Sequence, residues 1–235
     1  MIRIGTAGWA IRREHAGRFG EGVSHLARYA TRFNAVEINS SFYRPHRPAT
    51  YARWTASVPQ DFRFSVKLPK TITHTKRLKA VAKELDAFLA EVAALDGKLG
   101  PLLAQLPPSL AFDRKSIEAF AKRLRGRFTG AVVFEPRHAS WFSGEADGLL
   151  AAYEMARVAA DPAVVPAAAL PGGWDGFTYW RLHGSPRLYY SDYEPAFLNA
   201  LAARLSRATE SWVIFDNTAL GFATANAFAL QERLR

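Results

Sequence analysis

With 235 residues, a net charge of +10, and hydrophobic residues at 49% against 22% charged, the chain has the composition of one folded domain with a sizeable core, and not that of a disordered or low-complexity protein. It contains no cysteine, which excludes disulfides, thiolate catalysis and thiolate zinc sites and agrees with a reducing compartment. No run of about eighteen apolar residues occurs, and Met1-Ile2-Arg3-Ile4-Gly5 enters a strand-like pattern without the apolar stretch of a signal peptide, so a cytoplasmic location without membrane attachment is expected.

Short β-like runs alternate with longer amphipathic ones along the whole chain. Strands are expected at residues 3–7, 35–39, 62–67, 101–106, 131–135, 157–160, 177–183 and 212–216. Between them, apolar residues three and four apart predict helices, most clearly over 78–95, 116–124, 195–205 and 223–234. Steady strand–helix alternation implies parallel strands with right-handed crossovers. Eight units favour a single (β/α)₈ TIM-barrel domain over residues 1–235, with an open doubly wound sheet as second choice. The sixth unit is irregular, because residues 162–174 are rich in Pro, Ala and Gly and read as a loop.

Strand parity adds detail, since alternate residues face opposite sides. Phe62, Phe64 and Val66 would face the helices, leaving Arg63, Ser65 and Lys67 toward the axis. The same split turns Glu37, Asn39, Glu135, Arg181 and His183 inward, with Val36, Ile38, Phe134, Trp180 and Leu182 outward. A polar interior is therefore expected, and inward charges of this kind must be paired or solvated.

The strand ends carry Gly5-Thr6-Ala7-Gly8-Trp9, Glu37-Ile38-Asn39-Ser40-Ser41-Phe42-Tyr43, Phe64-Ser65-Val66-Lys67-Leu68-Pro69, Phe134-Glu135-Pro136-Arg137-His138-Ala139-Ser140-Trp141 and Arg181-Leu182-His183-Gly184. In this order, and with Phe215-Asp216-Asn217-Thr218 and Ala225-Asn226-Ala227 closing the chain, they resemble the YecE-like family, domain of unknown function 72. The resemblance implies a (β/α)₈ barrel related in shape to xylose isomerase and endonuclease IV, with no established reaction. Two positions depart from the family pattern: Pro136-Arg137 stands where Phe-Arg is usual, and Asp216-Asn217 where a double Asn is usual.

In barrel enzymes catalytic groups come from the C-terminal ends of several strands. Glu37, Lys67, Glu135, Arg137, Asp161, Arg181, His183 and Asp216 are thus expected at one mouth. Glu37, Glu135 and His183 are the candidate catalytic groups; Trp9, Asn39, Tyr43, Lys67, Arg137, Arg181 and Asn217 are candidates for holding substrate. Glu135 and Arg137 share parity and suit either a structural ion pair or a shared grip on a polar ligand. Gly184, directly after His183, would let backbone N–H groups approach a ligand, and residues 218–221 before the last helix suit an anion, or simply a helix cap at Thr218. Trp9, Phe42, Tyr43, Trp141, Tyr189, Tyr190 and Tyr193 crowd the same ends, as a stacking surface or as caps on the core.

The positive charge favours an anionic small molecule or a nucleic acid as partner, although Lys76-Arg77-Leu78-Lys79 and Lys122-Arg123-Leu124-Arg125-Gly126-Arg127 read more simply as solvated helix faces. Three functions fit: a hydrolase-type enzyme on a phosphate-bearing substrate, a metal-dependent sugar isomerase or hydrolase, and a non-catalytic binding barrel. No specific cofactor is indicated, and no phosphate-binding P-loop, nucleophile elbow or His-Glu-x-x-His sequence is present.

Overall fold

The computed structural model describes residues 1–205 and 209–235. Its strands and helices alternate as β1 (Ile2–Thr6), α1 (His25–Tyr29), β2 (Ala35–Ile38), α2 (Pro48–Ala56), β3 (Arg63–Lys67), α3 (Ala82–Val92), β4 (Leu99–Gln105), α4 (Arg114–Arg125), β5 (Val132–Glu135) and α5 (Gly144–Ala152). The second half continues with β6 (Met155–Arg157), β7 (Ala159–Asp161), β8 (Gly172–Gly173), β9 (Phe177–Leu182), α6 (Pro195–Arg204), β10 (Glu210–Phe215) and α7 (Phe222–Arg233). Local chemistry starts several helices: Ser24, Asp113 and Ser143 accept backbone N–H bonds as N-caps, and Pro48 and Pro195 occupy first turns, where a missing N–H costs nothing.

The strands form two sheets in the orders β1-β10-β9-β7 and β2-β3-β4-β5-β6-β8, parallel throughout except for the short β8. The sheets meet at two seams. At the first, β6 and β7 are one stretch of chain broken at Val158, with β6 on β5 and β7 on β9. The second lies between β1 and β2, where a single parallel bridge joins Ala7 to Glu37 and side chains stand in for the remaining ladder. The Thr6 N–H donates to Tyr29 Oη (2.8 Å), which donates onward to the Ala35 carbonyl (3.1 Å), while the Asn34 amide serves both the N–H of Ile4 and the carbonyl of Ile2. Gly5 is required there, because a Cβ would stand 2.1 Å from the Ala35 carbonyl oxygen. The result is an α/β domain with a TIM-like arrangement.

All eight expected strands form, the sixth as the β6–β7 pair. Residues 162–174 hold a short 3₁₀ turn, Pro166–Ala169, and β8. Arg157 holds this connection: it donates to both oxygens of Asp147 (2.7 and 3.1 Å) and to the carbonyls of Ala167 and Leu170. The predicted 78–95 helix starts late. Leu78 and Val81 are buried as the pattern required, but Arg77, Leu78 and Ala80 have positive φ, so regular helix begins only at Ala82.

The outward strand residues named above, with Phe120, Trp141 and Phe228, pack against the helices as the main core. The interior departs from the polar expectation, because it is layered. Two residues at a time up the inner face, β2 reads Ala35 then Glu37, β3 Ser65 then Lys67, β4 Leu103 then Gln105, and β5 Val133 then Glu135. β9 reads Tyr179 then Arg181, and β10 reads Trp212 then Ile214. Ala35, Leu103, Val133, Tyr179 and Trp212 form a buried apolar floor, in which Tyr179 and Trp212 stack with centroids 5.9 Å apart, and Ile214 stands in register with Arg181. The charges lie above it, where burial without partners would be prohibitive.

Candidate active site at the strand ends

Arg181 occupies the centre of the polar layer, with no solvent exposure. It donates from Nε to Glu37 Oε2 (2.9 Å), from Nη2 to Glu37 Oε1 (2.6 Å) and Asp216 Oδ2 (3.0 Å), and from Nη1 to Glu135 Oε2 (2.6 Å). Three carboxylates thus converge on one guanidinium, whose planar fork suits such pairing. The Tyr179 hydroxyl donates to Glu37 (2.9 Å), with Ser65 Oγ 2.8 Å away, and Gln105 donates to Glu135 (3.0 Å).

His183 lies one pleat above. Its Nδ1 is 3.0 Å from Asp216 Oδ2, and its Nε2 is 2.7 Å from Glu135 Oε1 and 2.6 Å from Arg137 Nη2. Arg137 itself pairs with Glu135 Oε1 at 2.5 Å. A proton on Nδ1 is directed at Asp216 and leaves Nε2 to accept from Arg137; a proton on Nε2 is directed at Glu135. The ring therefore offers a short path between two carboxylates.

The electrostatics follow from burial and neighbours. Burial works against the charge on Glu135, yet Arg137, Arg181 and His183 together hold its carboxyl well below the ordinary range. Burial likewise opposes Asp216, which Arg181, His183 and Lys67 hold low. For Arg181 the desolvation cost is outweighed by Glu135, Glu37 and Asp216, which keep it charged. Lys67 is the exception: burial, then Arg181, push its amine down to about 8 against the pull of the three acids.

Of the expected groups, Glu37, Glu135, Arg137, Arg181, His183 and Asp216 come together, with Lys67 beside them. Glu37, Glu135, Arg181 and His183 are sealed, whereas the side chains of Arg137 and Asp216 keep 15% and 10% of their surface open. The second oxygen of Asp216 has no hydrogen-bond partner among the described residues. Asn39 opens the turn after β2, and its side-chain oxygen is buried without a partner.

Others stand apart. Asp161 has the parity of Ala159, which pairs with outward Trp180, and its carboxylate accepts from Tyr193 Oη instead (2.9 Å). Trp9 packs edge-on against Trp54 of α2, centroids 5.0 Å apart. Tyr43 is 80% exposed on the rim. Asn217 is buried and spends its amide N–H groups on the Ser191 carbonyl and Asn226, tying the loop after β9 to α7.

Two local readings are corrected. The Gly184 N–H is taken by Tyr193 Oη (2.8 Å), and glycine is needed there for its φ of +90°. The N-cap of α7 is Gly221 and not Thr218, and the Ala223 N–H is already satisfied by the Asn217 carbonyl. Phe42 and Trp141 are buried, as expected of caps on the core. Gln105 and Tyr179 escaped the sequence reading: Tyr179 shares the parity of Arg181, which the alternation turns inward, whereas Gln105 is tied to the site only by its register with Glu135 on the neighbouring strand. Among the described residues, no three His, Asp or Glu side chains are grouped to hold a metal ion; the three mouth carboxylates enclose the Arg181 guanidinium instead.

An α/β domain of TIM-like fold whose strand ends gather a paired acid–base cluster is the class that fold and site define. The chain belongs to the family described as "Protein of unknown function DUF72", whose model matches residues 3–235. It is 32% identical over 146 residues to the UPF0759 protein YecE of Escherichia coli strain K12, covering 61% of this chain and 51% of that protein. To the UPF0759 protein YunF of Bacillus subtilis it is 28% identical over 151 residues, covering 61% and 53%. The matched segments thus span about half the length of these curated relatives. Among solved structures, a DUF72 family protein of Enterococcus faecalis superposes with a TM-score of 0.84 at 23% identity, covering 100% of this chain and 95% of the other. One from Thermotoga maritima gives 0.81 at 25% identity, covering 100% and 99%. D-Psicose 3-epimerase of Clostridium cellulolyticum gives 0.52 at 11% identity, covering 99% and 95%, a likeness of fold alone. No described helix is long and apolar enough to cross a membrane.

Proposed function

We propose that the strand-end mouth of a closed (β/α)₈ barrel is the active site of a hydrolase-type enzyme acting on a small phosphate-bearing molecule. The observation that carries this reading is the division of the polar cluster. Four members are sealed and mutually paired, while Lys67 at the end of β3 and Arg137, two residues past β5, lie at its outer edge with the partly open carboxylate of Asp216. Two cations offer an anion charge-assisted hydrogen bonds, and Arg137 can grip two oxygens at once. Water attacks phosphorus as the unpartnered oxygen of Asp216 takes its proton, and the P–O bond to the leaving alcohol breaks, that oxygen taking up a proton from solvent. His183 links Asp216 to Glu135 and can pass the accepted proton between them. Glu37 is a positioning residue, since both its oxygens are committed to Arg181.

The exposed Tyr43, Tyr189 and Tyr190 around the mouth would suit a base or sugar ring attached to the phosphate, which keeps a nucleotide or a short nucleic-acid strand within the same chemistry. A thermal-shift screen of wild type, Lys67→Met and Arg137→Gln against inorganic phosphate, sugar phosphates, nucleotides and short oligonucleotides tests the reading. A rise in melting temperature with phosphorylated compounds that both variants lose supports it. Equal responses in all three proteins would remove the site from the mouth, and no response to any phosphorylated compound would count against an anionic substrate.

A further inference from the structure

Lys67 closes β3 with 7% of its surface exposed. Among the described residues its Nζ has no hydrogen-bond acceptor and no carboxylate at salt-bridge distance. The three acids of the cluster are committed instead to Arg181, Arg137 and His183. The ammonium lies against the ring of Phe42, 4.3 Å from its centroid, and that ring is walled on its other edges by Tyr43 at 5.0 Å and His74 at 4.9 Å. Buried structural cations are ordinarily paired with an acid. Here the nitrogen faces an aromatic ring instead, so among the described residues no hydrogen bond or ion pair occupies the lone pair it gains on losing a proton.

We propose that Lys67 is an amine nucleophile that captures the aldehyde or ketone of a small anionic substrate as an imine. This rests on the reading of the mouth as an anion site and names the second functional group its substrate carries: Arg137 keeps the anionic group while Lys67, once neutral, takes the carbonyl. The amine lone pair forms the N–C bond as the C=O π pair moves to oxygen, which takes up a proton. The carbinolamine then expels that oxygen as water while nitrogen forms the C=N bond. The sum is amine, carbonyl and one proton going to a protonated imine and one water, with no oxidant or reductant involved.

The surroundings favour both ends of this step. With its amine at about 8, held down by burial and Arg181, roughly a tenth of Lys67 is neutral and nucleophilic at pH 7. The cationic imine is then drawn by Glu37, Glu135 and Asp216, the groups that already favour positive charge at this nitrogen.

Borohydride trapping tests the proposal. Wild type, Lys67→Arg and Lys67→Met, each verified to fold by circular dichroism and thermal melting, are incubated with less than one equivalent of glyceraldehyde 3-phosphate or of glyceraldehyde and then reduced. Adducts are mapped by peptide mass spectrometry. The expected result is an adduct at Lys67 at least about tenfold above any other lysine, formed more readily with the phosphorylated aldehyde and absent from both variants. Adducts spread over the surface lysines, with the same pattern in Lys67→Arg, would overturn it. If phosphate raises the wild-type melting temperature but Lys67 is not trapped, the imine proposal fails while the anion site stands. Trapping at Lys67 that ignores the phosphate group, with no thermal response to phosphate, would uphold the amine's reactivity and remove the anion site.

Discussion

Arg181 and Glu37 form a two-point clamp, Nε to Oε2 at 2.9 Å and Nη2 to Oε1 at 2.6 Å, with neither side chain reaching solvent. The clamp joins β9 to β2 across the interior, 144 residues apart in sequence. It fixes the guanidinium in the orientation that also meets Glu135 and Asp216.

Removing that guanidinium leaves three carboxylates facing one another in a dry interior. Arg181→Met is therefore expected to cost about 3–5 kcal/mol of unfolding free energy, the usual range for breaking a buried ion pair from one side. Arg181→Lys should recover only part of it, because an ammonium cannot reproduce the planar fork. Urea denaturation of the two variants and of Arg181→Met/Glu37→Gln measures this, and a double variant no more stable than Arg181→Met alone would argue against the clamp.

Glu135 sets an acid limit. Its carboxyl is held below its ordinary value of 4.5 in the folded protein. The stabilisation is therefore fully present above that value and lost as pH falls through the lower folded-state value. Asp216 contributes with the same sign. Urea midpoints between neutral pH and pH 3 should fall steeply for wild type and less steeply for Glu135→Gln. Parallel profiles would contradict the assignment.

Lys67 acts in the opposite sense. Its folded value of about 8 lies below the ordinary 10.5, so below pH 8 folding must carry an ammonium at a desolvation cost, and this cost is relieved as pH rises from about 8 toward 10.5. Lys67→Met should accordingly melt higher than wild type at pH 7. The gap should narrow by pH 10, and comparing the two proteins cancels the titration of the shared tyrosines. A variant that melts lower at pH 7 would mean the ammonium is net stabilising.

Gly184 links β9 to the loop that follows it. An added Cβ would meet the Ser191 carbonyl oxygen at 3.0 Å and Asn217 Cβ at 3.1 Å, with φ at +90°. Gly184→Ala is expected to lose about 1–2 kcal/mol and to loosen the loop from Ser185 to Asp192, read out as faster hydrogen exchange at Tyr189 and Ser191. Unchanged exchange would place the strain elsewhere.

Much of this was legible because strand parity is a local property. Once 177–183 reads as a strand, Arg181 and His183 must share a face, and Arg137, two residues past the end of β5, keeps the alternation of Glu135. The lower layer hid for a related reason: Tyr179 and Trp212 have the same parity as the charges above them, and only depth along the axis separates floor from mouth. Asp161 misled because it stands near a strand end with an acid's chemistry, but the break at Val158 places it in the outward register. Which groups stay open was also beyond the pattern. That depends on Arg181 drawing in three acids from three other strands, a convergence that no spacing along one strand records.

The stacked Tyr179 and Trp212 close the axis from below. On the catalytic reading proposed above, such a floor would leave entry and departure to share the strand-end opening, so that each product must vacate before the next substrate arrives. Under that proposal, product competes with substrate and discrimination falls to the lip, where Tyr43 and Arg137 are met before the buried Lys67.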